Sequence, residues 1–259
     1  MSHEVFDRVA EAYDAARPGY PDGLYDALAA LSGVALGGAT VVDVGAGTGI
    51  STRGLLARGA RVVAVDPGRR MLARLVARTA SPRVAVGDGN ALPLRSGTAD
   101  LVCFAQAWHW LRPEESIREA VRVLRPGGSV AAWWNSVDIG PGSTATAADW
   151  LVAHEVRMAE ACSGYRGPAL PEWSVPPVAA VMTRAGLPVQ EAWIHWTRTV
   201  GVEDFLLDLR SHSFVASLGA GRVESLIGRE RTELTRVFAQ GELTVPMRVY
   251  LAIARKAGA

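Results

Sequence analysis

The sequence predicts an α/β protein built on a parallel sheet with helices on both faces. Three observations carry this. Short β-branched runs alternate with amphipathic segments from about residue 39 to 135, the strand runs end at Gly, Asp or Asn, and two of the helices close on Gly or Pro-Gly-Gly. Such alternation folds into right-handed βαβ units, whose ligands bind beyond the carboxyl ends of the strands. At 259 residues the chain can bury a core without a disulfide or metal staple.

Residues 40–44, TVVDV, read as a buried parallel strand that stops at glycines. The next segment sets Ile50, Leu55 and Leu56 at near-helical spacing, and Gly59 ends it. Residues 60–66 give a second strand, and 67–79 a second helix with Met71, Leu72, Leu75 and Val76 on one side. Residues 83–88 and 99–107 give strands three and four. Residues 113–128 read as a helix that opens on Pro113 and closes at Pro-Gly-Gly, before a fifth strand at 129–135. After Asn135 a Gly/Ser/Thr-rich connection leads to a helix at about 147–162, a Pro-rich loop at 164–177 and a short helix at 177–185. Residues 190–200 alternate Ala192, Ile194 and Trp196 with Trp193, His195 and Thr197, as an extended strand does. Helices at 202–211 and 220–239 precede a closing strand at 242–256, where Pro246 predicts an edge or bulge position.

Charge balance narrows the partners. Lys and Arg number 27 against 26 Asp and Glu, so no general attraction to nucleic acid or anionic lipid is expected. The first residues lack a leader pattern, and no apolar run approaches the ~20 residues of a membrane span. A cytoplasmic protein without nucleic-acid or membrane partners is expected. Cys103 and Cys162 are too few and too distant for a disulfide framework or a zinc site, so both are expected as buried small hydrophobes, with no metal.

The chemistry concentrates at three strand ends. In Asp43-Val-Gly45-Ala46-Gly47-Thr-Gly49 the chain turns sharply where its backbone must approach a ligand, which glycine permits. The glycines recur at every second position, unlike the Gly-x-Gly-x-x-Gly of dinucleotide binders. Asp43 would repel a pyrophosphate and suits a ligand with an ammonium group. Asp66 can accept hydrogen bonds from a ribose diol, or cap the helix after Pro67. Asp88, in the run Gly87-Asp-Gly-Asn-Ala-Leu-Pro93, can accept from an adenine amino group, or serve only the turn.

Together these pieces and Leu124-Arg-Pro-Gly-Gly128 resemble the class I S-adenosylmethionine-dependent methyltransferases, in the small-molecule group with the methyltransferase-11 type domain. The segments Phe6-Asp7, Ala12-Tyr13-Asp14, Arg17-Pro18-x-Tyr20-Pro21 and Gln106-Ala-Trp-His-Trp110 are similar to a subgroup that includes trans-aconitate-type and other carboxylate or natural-product methyltransferases. The resemblance covers residues 1–135 and implies a Rossmann-like, seven-stranded, mostly parallel sheet with a C-terminal helical lid. The strands at 190–200 and 242–256 would complete that sheet. Two regions of one compact unit are then expected: a cap segment and S-adenosylmethionine-binding core at 1–135, and a lid with the last two strands at 136–259.

The resemblance also implies residue roles. The loop with Gly45, Ala46, Gly47 and Gly49 would hold the methionine portion of the cofactor, beside Asp43. Asp66 would take the ribose and Asp88 the adenine amino group, with Gly89 and Asn90 next to it and Met71 and Leu92 near the purine. The backbone at Ala105 and Gln106 would meet the ammonium, and Tyr13 and Arg17 would lie in a segment folded over the cofactor. Gly89 stands where relatives usually carry alanine, a departure expected to be harmless. The implied reaction moves a methyl group to O or N of a small metabolite or natural-product intermediate, with C as a third option, leaving S-adenosylhomocysteine. Two rivals stand beside it: a non-catalytic binding protein of the same fold, and a nicotinamide oxidoreductase, which Asp43 and the glycine spacing disfavour. The chain is expected as a monomer or homodimer.

In-line displacement needs alignment above all, and a base only where the acceptor carries a proton. His109 is the candidate base, with a structural histidine as the alternative. Trp108 and Trp110 line an acceptor pocket or pack beneath the lid. Asn135 would orient the acceptor, and His212 could reach it. The tryptophans in these segments suggest an aromatic, largely apolar substrate.

Overall fold

The computed structural model describes residues 17–80, 82–139, 149–163, 165, 167–168 and 174–258. Seven strands form one sheet: β1 (Thr40–Val44), β2 (Arg61–Asp66), β3 (Arg83–Val86), β4 (Ala99–Ala105), β5 (Leu124–Val137), β6 (Val189–Gly201) and β7 (Glu242–Arg255). Their order is β3-β2-β1-β4-β5-β7-β6. Strands β1 to β5 pair in parallel, and β7 runs antiparallel to both β5 and β6. The strand order reverses between β2 and β4, on either side of β1. A crevice opens at such a switch point.

The helices are α1 (Asp22–Ser32), α2 (Ile50–Leu56), α3 (Arg69–Ala77), α4 (Pro113–Val123), α5 (Asp149–Ala161), α6 (Val178–Arg184), α7 (Val202–Ser211), α8 (Ser213–Ala216) and α9 (Ala220–Val237). No described helix is long and apolar enough to cross a membrane. On one sheet face Leu24, Tyr25 and Leu28 of α1 pack with Val41, Leu101, Val249 and Leu251. Full burial of each leucine contributes about 1.5–3 kcal/mol, which holds α1 to the sheet. On the other face Ile117 and Ala120 of α4 and Met182 of α6 pack with Val102, Phe104 and Val130. A third cluster joins Met158 of α5, Leu206 and Leu209 of α7 and Ile227 and Leu234 of α9 to Leu243, Val245 and Met247 of β7. The lid is thus anchored on the start of β7. Both cysteines are free and buried.

Several expectations need correction. Helix α1 has no counterpart among the predicted elements. Helix α4 ends at Val123, and residues 124–128 enter β5 across a register shift between Ala99 and Leu101. There Lys256, the only lysine of the chain, donates Nζ hydrogen bonds to the carbonyls of Val121 and Leu124. Val76 is 46% exposed, so the buried stripe of α3 is Met71, Leu72 and Leu75. Strand β7 is interior, not an edge. Pro246 is tolerated because its carbonyl accepts the Asp138 N–H on the β5 side. Its missing N–H faces that same side, just beyond the last β5 pair of Val137 with Met247, so only the reciprocal bond to the Asp138 carbonyl at the strand end is forgone.

Candidate functional site

A cleft of about 1300 Å³, mouth included, opens over the carboxyl ends of β1, β2 and β4. Gly45 and Gly47 of the glycine loop form its floor, and the loop takes left-handed φ at Gly45 (71°), Gly47 (56°) and Gly49 (87°). A Cβ on Gly45 would lie 2.5 Å from Ala107 Cβ, and one on Gly49 2.6 Å from Leu75 Cγ. A Cβ on Gly47 would meet nothing within 4 Å, because that backbone faces the open cleft.

Asp66 closes the loop against β2. Its Oδ2 accepts the Gly47 N–H at 2.9 Å and its Oδ1 the Gly68 N–H at 2.7 Å. Each carboxylate oxygen has a second lone pair, so the turn role and a ligand-acceptor role coexist. Asp66→Ala is expected to weaken binding of S-adenosylhomocysteine by about 1.5–3 kcal/mol, the worth of hydrogen bonds to a charged acceptor. Calorimetric titration of wild type and variant reads this, and equal affinities would take Asp66 out of the site. Asp88 Oδ1 accepts from Asn90 N and Nδ2 at 2.9 and 2.7 Å, so Oδ2 keeps its acceptor capacity. At Gly89 the neighbours leave little room for a side chain. A Cβ there would come 2.8 Å from both Leu111 Cδ1 and Val44 Cγ1.

Asp43 does not reach the cleft. It is fully buried beneath the loop, where its Oδ2 accepts the Thr52 hydroxyl at 2.6 Å and its Oδ1 lies 3.8 Å from Cys103 Sγ. Burial pushes its carboxyl from 3.8 up to about 6, and the bonds from Thr52 and Cys103 offset only part of that rise. A folded pKa above the unfolded one means that ionisation opposes folding. The contribution is lost as pH rises from 3.8 through about 6 and costs about 3 kcal/mol at neutral pH. Asp43→Asn is therefore expected to raise stability at pH 7.5, with a gain that fades as pH falls through 6 toward 3.8. Urea denaturation across that range checks it, and a pH-independent difference would contradict it.

A second cavity of about 1080 Å³ lies between the sheet and the lid, lined by Tyr20, Ile50, Asn135, Phe205, Asp208 and His212 among others. Gln106 lines both cavities. Among the described residues it is the one non-glycine with positive φ, at 57°. Its N–H is held by the Trp133 carbonyl at 2.9 Å, and its Nε2 donates to the Asn135 carbonyl at 3.3 Å. Such a conformation costs about 1–3 kcal/mol and persists where the surroundings over-determine it, often at sites of function.

The remaining candidates divide. Met71, Asn90 and Trp110 line the first cleft, so Trp110 is on the opposite side from the one expected. Ala46 and Leu92 are buried, and neither they nor Gly49 line the cleft. Arg17 lines the second cavity, not the cleft, with Nε donating to Ser211 Oγ at 3.2 Å and 3.6 Å from Asp208 Oδ1. Tyr13 falls outside the described residues. Trp108 is 2% exposed and packs edge-on against Trp134, in the core rather than a pocket. His109 lines neither cavity. Its Nδ1 accepts the Trp134 indole N–H at 3.0 Å, and burial lowers its pKa. Asn135 and His212 do line the second cavity. Asp208 and Arg198 were not singled out; Asp208 lies in the last turn of α7 and His212 is the extended residue that follows it. Among the described residues no group of three His, Cys, Asp or Glu is placed to hold a metal ion.

Residues 42–132 match a family model described as a methyltransferase domain. An uncharacterized methyltransferase of Mycobacterium tuberculosis is 41% identical over 133 residues, 51% of this chain and 53% of that protein. The match thus spans about half the length of that curated relative. A malonyl-[acyl-carrier protein] O-methyltransferase of Pseudescherichia vulneris is 28% identical over 212 residues, 76% of this chain and 70% of its own. A structure from Anaeromyxobacter dehalogenans described as a type II methyltransferase superposes with a TM-score of 0.61 at 24% identity, covering 93% of this chain and 97% of that one.

Proposed function

We propose that this chain, which belongs to the class I S-adenosylmethionine-dependent methyltransferases, moves the cofactor's methyl group to an oxygen or nitrogen of a small metabolite or natural-product intermediate. The observation that carries this reading is the meeting of the two cavities at Gln106. One side offers a glycine backbone open to a ligand, carboxylates at two strand ends and the apolar side chain of Met71, which suits an adenosyl amino acid. The other offers a chamber in which apolar side chains such as Met158, Phe205 and Met247 alternate with polar ones such as Asn135, Asp208 and His212, which suits an organic acceptor with a polar reacting group.

When bound, the cofactor supplies an activated methyl group. Asp66 and Asp88 would hold its nucleoside by acceptor oxygens, and the backbone at Gly45 and Gly47 would meet its amino-acid part. Gln106, pinned by the Trp133 and Asn135 carbonyls, sets the boundary across which donor and acceptor align. Alignment of this kind can supply a large share of the rate in a direct displacement. The O-methyltransferase relative favours an oxygen acceptor.

Titration with S-adenosylhomocysteine and with NAD tests the cofactor assignment. Binding of the first and not the second is expected, and the reverse would overturn it. Release of S-adenosylhomocysteine from S-adenosylmethionine with candidate acceptors tests turnover. Tight binding with no turnover across phenols, carboxylates and amines would return the chain to a non-catalytic binding role.

A further inference from the structure

The lid presents a buried polar cluster to a cavity whose wall mixes apolar and polar side chains. Asp208, on α7, is 8% exposed, and its Oδ2 accepts from Arg198 Nη1 at 2.7 Å. Its Oδ1 is buried and makes no hydrogen bond among the described residues. Two donors face that oxygen at 3.6 Å, Arg17 Nε and His212 Nε2. Around the cluster the cavity is lined by Met158, Phe205, Leu209, Phe214 and Met247. Asn135 Nδ2 is likewise buried without a hydrogen bond among the described residues, although Asn135 Oδ1 accepts from Trp196.

We propose that His212, oriented by Asp208, is the general base of this site, and that its acceptor is an acidic hydroxyl on an unsaturated carbon, a phenol or enol, carried by an apolar body. This rests on the methyltransferase reading above. The carboxylate facing Nε2 favours the tautomer with the proton there and leaves Nδ1 as the ring's acceptor. A 3.6 Å approach is long for a hydrogen bond, but such pairs often tighten only when substrate is in place. Arg17 and Arg198 flank the same carboxylate and offset negative charge on an acceptor oxygen, whereas an ammonium acceptor would meet their repulsion. A carboxylate acceptor is already ionised and would leave the His212–Asp208 pair without a task.

The step balances within these groups. The hydroxyl proton passes to His212 Nδ1, and an oxygen lone pair forms the bond to the methyl carbon. The thioether leaves with the former C–S electron pair, and the imidazolium returns its proton to solvent. Asn135 Nδ2 is the free donor for a second polar atom of the acceptor. The titratable and charged groups around the ring are Asp208 and Arg17 beside it, His154 from α5, Arg198 from β6, and Tyr165 and Glu155 on the same cavity wall. Burial and Arg17 lower the ring's pKa from 6.5 and outweigh the opposing pull of Asp208, so the base is neutral at working pH.

The test uses S-adenosylmethionine with 1-naphthol, 1-naphthoate and 1-naphthylamine, reading released S-adenosylhomocysteine against pH. Methylation of 1-naphthol is expected, with a rate that rises through a step below pH 6.5. His212→Gln should lose that step and at least about 100-fold in turnover, while its affinity for S-adenosylhomocysteine stays within about twofold. Asp208→Asn should lower turnover through the same pair. Preference for naphthoate or naphthylamine would overturn the proposal, as would an unchanged pH step in His212→Gln. Bound S-adenosylhomocysteine with no methylated naphthol overturns it too, whereas failure to bind S-adenosylhomocysteine overturns the parent reading instead. The wild-type profile keeps the test open if a variant does not fold.

Discussion

Glu230→Ala is expected to cost about 3–5 kcal/mol of folding stability, because it breaks a buried ion cluster that joins two lid helices. Glu230 lies on α9 with no exposed surface. It accepts from His154 Nδ1 at 2.7 Å and from Arg157 Nε and Nη2 at 2.5 and 2.9 Å, both residues on α5. Removing the carboxylate strands the guanidinium and the ring beneath α9, and that uncompensated polarity is the origin of the loss. Burial pushes the Glu230 carboxyl up, but the hydrogen bonds from His154 and Arg157 outweigh it and bring it down to about 2. With an unfolded value of 4.5, this contribution is complete above pH 4.5 and is lost as pH falls through about 2. Wild type should therefore lose lid stability across that window, and the variant should show a flatter dependence. Helix α5 also carries His154 and Met158 to the second cavity, so under the proposed function the variant should raise the acceptor's KM before it changes cofactor affinity. Urea denaturation at pH 7 and pH 3 measures the first effect. A variant as stable as wild type at pH 7 would show that the cluster does not support the lid.

The sheet was legible because its parallel strands are buried on both faces and read as apolar runs that stop at Gly or Asp. The left-handed loop was legible because alanine cannot take its place. Side-chain direction was harder. Val42 and Val44 share one face of β1, so Asp43 between them points to the other, under α2 and toward Thr52. That parity was open to reading, yet proximity to the glycines suggested a ligand. Residues 108–110 form a 3-10 turn, in which successive side chains swing by about 120°. Trp108 goes to the core, His109 to Trp134 and Trp110 to the cleft, a split that no linear motif reveals. Helix α1 carried its own signals, with Pro21 before it and Gly33 left-handed after it. In the lid, the spacing of Asp208 and His212 indicates proximity across the end of α7, but packing of α7 against β7 decides that this end meets the cavity.

Gly45→Ala is expected to lower affinity for S-adenosylhomocysteine about 100-fold, roughly 2.7 kcal/mol, and to reduce the stability of the free protein as well. Two costs combine. A left-handed φ of 71° is strained for any residue with a Cβ, by about 1–3 kcal/mol. The new Cβ would also stand 2.5 Å from Ala107 Cβ, a methyl carbon fixed to the backbone that no rotamer can move. Either the loop or the chain around Ala107 must shift, and both line the cleft. The loop resists, since Gly45 and Ala46 both donate to the Val65 carbonyl, at 2.8 and 3.2 Å. Gly47→Ala separates the two costs. Its Cβ meets no protein atom within 4 Å, so the free protein should lose only the strain, while the methyl group projects where the cofactor would lie. Ala107→Gly offers the decisive partner, because it removes the colliding methyl and leaves the strain untouched. The double variant should recover part of the lost affinity, giving a coupling of at least about 1 kcal/mol in a double-mutant cycle. Wild-type affinity in Gly45→Ala, or strict additivity with Ala107→Gly, would show that the contact between the loop and Ala107 does not shape the cofactor cleft.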